Sequence, residues 1–127
     1  MSVDLRRARD LLFLHARLAA HLRRPRGVAD TSALRDTLEE VERSQQVDDL
    51  FEQAATLATA LVRRMPFNAA NAPLAVAAAV MWLREYDLAV DLPITEMDTV
   101  RRLLAAGDRA ELAVWLRAHT WPRSATG

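Results

Sequence analysis

The chain has 127 residues, with 17 arginines balancing 17 aspartates and glutamates, and it contains neither lysine nor cysteine. That length is enough for one domain with its own hydrophobic core, and the missing residue types exclude disulfides, thiol nucleophiles, cysteine-ligated metals, Schiff-base chemistry and a phosphate-loop lysine. Glycine occurs only at 27, 107 and 127, so a glycine-rich phosphate cradle is excluded too, and the zero net charge argues against a dedicated nucleic-acid binder. Asp4, Arg6, Arg7, Arg9 and Asp10 leave only the short apolar patch Leu11–Leu14 near the start, which does not read as a secretory signal. The longest apolar stretch, Leu74 to Leu83, is shorter than the roughly 20 residues of a membrane span. A soluble, cytoplasmic protein is expected, with no membrane partner.

The pattern predicts helices throughout. Ser2 and Asp4 are positioned to cap a first helix whose apolar stripe is Leu11, Leu14, His15, Leu18 and Leu22, ending near Arg24 before Pro25 and Gly27. Asp30 and Thr31 open a second, with Leu34, Leu38 and Val41 inward and Glu39, Glu40, Glu42 and Arg43 outward. A third runs from about Val47 to Arg64, with Leu50, Phe51, Ala54, Leu57, Ala58 and Leu61 on one face. A fourth, with Pro73 in its first turn, extends to about Tyr86 and is apolar on nearly all sides, which predicts that it is the central, buried helix. Tyr86 to Leu92 reads as a short extended connector. Thr95 with Asp98 predicts a capping box for a fifth helix ending at Gly107, and Asp108 with Glu111 predicts another for a last helix, Ala110 to about His119. The fold class is all-α, a compact bundle of about six helices around a central apolar one. The whole chain forms a single domain without repeats or linkers.

Between the third and fourth helices lies Met65-Pro66-Phe67-Asn68-Ala69-Ala70-Asn71-Ala72-Pro73. Its framework, Phe67-Asn68-x-Ala70-Asn71 running into an apolar helix, resembles the active-site loop of the Doc branch of the Fic family, His-x-Phe-x-Asp/Glu-Ala/Gly-Asn-Lys-Arg. Asp49-Leu50-Phe51-Glu52 with Ala55-Thr56 matches the Doc-type helix leading into that motif, and Leu14-His15 and Gly27-Val28-x-Asp30 fall at similar intervals. The resemblance covers about residues 5–120 and implies a helical bundle in which the loop caps the central helix. In this family the motif His is a general base, the acidic residue holds magnesium, and the loop backbone and basic side chains cradle nucleotide phosphates. Doc enzymes use them to transfer phosphate to elongation factor Tu.

Here Met65 stands at the position of the His, Ala69 at that of the acidic residue, Ala72 at that of the Lys and Pro73 at that of the Arg. A thioether accepts no proton at neutral pH, and an alanine offers magnesium no oxygen. A general base alone is worth ~10²–10⁴ in rate. The loop is therefore read as degenerate, with no catalytic residue, no metal and no cofactor. Phe67 is expected to anchor the loop in the core, and Asn71 either to buttress the loop or to cap the helix; Asn68 and Ala70 complete the framework.

Other residues offer weak substitutes. His15 and His21 share the first helix and His119 lies at the end of the last, and no spacing ties them to the loop; His15, on an apolar stripe, reads as a satisfied core histidine. Arg63-Arg64 reads as a solvated helix end rather than a phosphate clamp. Trp82, Trp115 and Trp121 read as core or edge residues, with Trp121 the interface candidate among them. Two functions follow. One is a catalytically inactive Doc/Fic-fold protein, a toxin–antitoxin relic or repurposed regulatory scaffold, that binds an antitoxin-like helix or tail in a groove beside the loop. Leu18, Leu22, Arg23, Arg24 and Arg26 would form that groove. The other is a divergent toxin still transferring phosphate or a nucleotidyl group to a translation factor, against which four loop positions speak.

Overall fold

Three aspartates decide where three helices begin. The computed structural model describes residues 4–46 and 49–123. Among them are α1 (Ala8–Leu22), α2 (Thr31–Ser44), α3 (Leu50–Arg64), α4 (Asn71–Arg84), α5 (Met97–Ala106) and α6 (Arg109–Ala118), with short strands β1 (Leu88–Val90) and β2 (Thr120–Pro122). The carboxylates of Asp30, Asp49 and Asp108 accept from the amides of Ala33, Glu52 and Glu111 at 3.0, 2.8 and 3.1 Å, each satisfying one of the donors a helix start leaves unpaired. The expected stop at Gly107 is present, with φ of 67°.

Two expected caps are not formed. α1 starts at Ala8 after Arg7, with no side-chain cap. Asp4 is engaged elsewhere, since its amide donates to Asp10 Oδ2 at 2.9 Å and its carboxylate takes the Arg6 guanidinium at 2.8 Å. Ser2 lies outside the described residues, as does Val47, the expected start of α3. Thr95 does not cap α5, because it sits inside a 3₁₀ turn, Ile94–Glu96, launched from Pro93. A residue already in a helical turn lacks the extended geometry of an N-cap. Asp98 pairs instead with Arg101 at 3.1 Å.

The all-α expectation is what the chain adopts, but the hub is α3 rather than α4. α3 packs on α2, α4, α5 and α6, and every residue from Gln53 to Leu61 is buried. α4 buries Leu74, Ala75, Ala78, Ala79, Trp82 and Leu83, leaving Val76, Ala77, Val80 and Met81 half-covered. Mean hydropathy misleads because α3 carries hydroxyls that satisfy themselves. Thr56 and Thr59 donate to the carbonyls of Glu52 and Ala55 at 2.8 and 2.9 Å, so they tolerate burial, while Ala54, Ala55, Ala58 and Ala60 let neighbours approach. One core cluster runs from Leu5 to Leu116 and includes Trp82 and Trp115.

The expected connector contains β1, which pairs antiparallel with β2, placing exposed Trp121 opposite Ala89. No helix among the described residues is long and apolar enough to cross a membrane. With α3 at the centre, Leu57→Ala should lower the unfolding free energy by about 2–5 kcal/mol, and Val76→Ala on the half-covered side of α4 by much less. Urea titrations of the two variants check this, and equal losses would return α4 to the centre.

Candidate functional site

The loop between α3 and α4 is built around one side chain. α3 stops at Met65 in the left-handed region, φ 47°, and α4 is entered through Ala70, φ 62°, with no side-chain cap. Asn71, the first residue of α4, folds back: its Nδ2 donates to the Phe67 carbonyl at 3.0 Å and its Oδ1 accepts from the Phe67 amide at 3.1 Å. Of the two roles open to Asn71, the buttress is the one adopted. The Phe67 ring is 2% exposed, as its anchor role requires.

Beneath the loop, the His15 ring stacks on Phe67 with centroids 4.0 Å apart, and its Nε2 donates to the Ala69 carbonyl at 2.9 Å. His15 is 1% exposed, so it is the satisfied core histidine expected. Its partner, however, is the loop, to which sequence spacing did not connect it. The available signal was a polar ring on an apolar stripe, which must find a hydrogen-bond partner somewhere.

The turn after α1 is laced to the other side of the loop. Val28 and Phe67 form an antiparallel bridge. Pro66 O accepts from the amides of Ala29 and Asp30 at 2.8 and 3.2 Å, and the Asn68 amide donates to Gly27 O at 3.0 Å. Asn68 Nδ2 adds a bond to Arg26 O at 3.1 Å. Gly27 has φ of 103°, and a Cβ there would lie 3.2 Å from Asn68 Nδ2, so the turn needs a glycine to approach this closely.

In front of the loop lies a cleft of about 600 Å³. Met65, Asn68, Ala69, Ala70, Asn71, Ala72 and Pro73 line it, with Leu22, Arg24 and Val62 completing the walls. Phe67 lies underneath. Of the five residues expected to form a partner groove, Leu22 and Arg24 line this cleft. Leu18 packs against the core. Arg23 forms the left-handed stop of α1 and Arg26 lends its carbonyl to Asn68, both outside the lining.

The chemistry of the lining is sparse. Arg24 is its one charged side chain, and it holds no carboxylate or imidazole, so it offers neither a proton acceptor nor an anionic oxygen ligand for a hard cation. Among the described residues, the amides of 69 to 72 make no hydrogen bond, and Pro73 has none to offer. His21 is exposed on α1, and His119 stacks on Trp115. Arg63 and Arg64 turn to Glu40 on α2 instead of the loop, Arg64 Nη2 at 3.0 Å. Comparison of the sequence with protein-family models and with curated proteins finds no match.

Two measurements probe this geometry. Phe67→Ala should cost about 3–5 kcal/mol as a cavity and Met65→His, at a position 61% exposed, close to nothing; comparable losses would mean that Met65 holds the loop. Burial pushes the Glu40 carboxyl up, but the hydrogen bonds from Arg63 and Arg64 outweigh this and leave its pKa lowered from the ordinary value. A lowered folded-state value contributes stability above the unfolded pKa of about 4.3 and loses it as pH falls through the folded one. The melting-temperature gap between the wild type and Glu40→Gln should therefore be widest above about pH 5 and close toward acid. A pH-independent gap would contradict the assignment.

Proposed function

We propose that this protein is a Doc/Fic-type pseudoenzyme that works in the cytoplasm by binding another protein. One observation carries the reading: the loop has a full set of scaffold bonds, while every position where the family resemblance calls for chemistry holds an inert side chain. Asn71 secures Phe67, His15 secures Ala69, and Asn68 secures the turn at Gly27. Met65, Ala69, Ala72 and Pro73 line the cleft and supply no base, no cation ligand and no phosphate clamp.

Phosphoryl transfer is almost entirely positioning plus charge stabilisation, and loss of all those charges leaves a cavity without a driving force for it. What remains is a recess with an apolar wall and a cationic edge, beside the turn where Arg23, Arg24 and Arg26 are exposed. These features support an antitoxin-like helix or tail as the partner type, in a toxin–antitoxin relic or a repurposed scaffold.

Incubation with labelled ATP or UTP and elongation factor Tu tests the proposal. Wild-type protein should transfer no label, and the combined variant Met65→His, Ala69→Asp, Ala72→Lys, Pro73→Arg should gain transfer, because the backbone path is held by other residues. Label transferred by the repurified wild type would sink the pseudoenzyme reading in favour of a divergent toxin.

A further inference from the structure

Part of the α4 surface that the core leaves half-covered faces a space the chain does not fill. α5 packs on α3 and α6 but makes little contact with α4, and a hollow of about 400 Å³ lies between the two helices. Val62, Val76, Met97 and Leu104 form its apolar walls, and the exposed neighbours Pro73 and Ala105 are too small to cover it. Its size and its lining are those of a small-molecule site.

The floor of this hollow is loosely packed. Val76 and Leu104 also line an internal cavity of about 10 Å³, whose other walls include Ala79, Leu92, Leu112 and Trp115. That space holds one water at most, and an apolar space of this kind stays dry. Its lining is apolar except for the indole of Trp115, whose N–H is buried and has no acceptor among the described residues. In a close-packed interior side chains have little freedom, whereas a void behind Val76 and Leu104 gives them room to turn inward. Met97 is unbranched and adapts to what lies against it. The hollow is thus able to deepen around an apolar chain without displacing a helix.

Charge decides which kind of apolar molecule it takes. Arg101 is the single charged residue of the lining, which holds no carboxylate. Its ion-pair partner among the described residues is Asp98, which lies on the same helix, outside the lining, and is 89% exposed. Such a pair is worth little in water, so the guanidinium is available to a ligand. Its planar fork matches a carboxylate bidentately. One positive charge balances a monoanion; a phosphate dianion would be left half-compensated, and a cation would be repelled. We infer that the α4–α5 hollow is a binding site for a small amphiphilic carboxylate, its head on Arg101 and its hydrocarbon chain between Val76, Met97 and Leu104. The site is independent of whether the α3–α4 loop retains any chemistry.

The test is titration of the full chain with sodium octanoate and sodium decanoate below their micellar concentrations, followed by calorimetry and amide chemical shifts. Decanoate should saturate a single site and shift amides in 74–77 and 97–105. Each methylene added between octanoate and decanoate should tighten binding by about fourfold. Arg101→Gln should weaken decanoate binding by about tenfold and leave the binding of decanol unchanged. Ala105→Trp, at an exposed position, should block both ligands while the rest of the amide spectrum stays in place. Equal affinity for decanoate, decanol and decyltrimethylammonium, or an Arg101→Gln variant that binds decanoate as the wild type does, would overturn the carboxylate assignment. Absence of saturable binding, or shifts centred away from α4 and α5, would overturn the site itself.

Discussion

The carboxamide of Asn71 is the constraint on which the site depends. The chain leaves α3 and enters α4 through two non-glycine residues in the left-handed region, Met65 and Ala70, a conformation that carries a steric cost. Between them, both polar backbone groups of Phe67 are buried, and leaving either unpaired would cost about 1–3 kcal/mol. A single side chain satisfies both. With Phe67 fixed, its ring stacks on His15 and its backbone presents an edge to Val28, so α1 and the turn after it meet the loop at this one clamp.

Frame and chemistry are therefore carried by different residues. Asn71, Phe67, His15, Asn68 and Gly27 hold the path. Met65, Ala69, Ala72 and Pro73 line the cleft, and no side-chain hydrogen bond from any of them enters the frame. The Ala69 contribution is its carbonyl, which any residue would supply. A division of this kind lets a cleft change its chemistry without the fold paying for it, and it accounts for a well-ordered lacework around a lining of alanine, methionine and proline.

What the sequence made legible was what short range determines. Asp30 and Asp108 act on amides three residues away and Gly107 acts on its own backbone, and the expectations built on these local signals agree with the structure. Asp4 and Thr95 offer equally local signals that are taken up elsewhere, and the cap at Asp49 is missed when the apolar stripe is followed back to Val47. Asn68 and His15 were not legible in the same way, because their partners lie 42 and 54 residues distant. The identity of the hub helix was hidden for another reason. Thr56 and Thr59 lower the apparent hydropathy of α3 although their hydroxyls are satisfied within it, whereas the alanines and valines of α4 raise its hydropathy without requiring burial on every side. Arg63 and Arg64 could be assigned to solvent or to the loop from sequence, but Glu40, one helix away, claims them.

The bridge between Val28 and Phe67 has a consequence for how the molecule comes together. The Asn71 clamp spans four residues and is available as soon as the α3–α4 hairpin exists. The lacing of the α1 turn joins residues 26–30 to 66–68, and contacts of such sequence separation carry the closure entropy of everything between them. The wall of the cleft that holds Leu22 and Arg24 adjoins this lacing, so the cleft is complete only when the turn is docked on the loop. Anything that binds there recognises only the completed fold, and by mass action draws the population toward it.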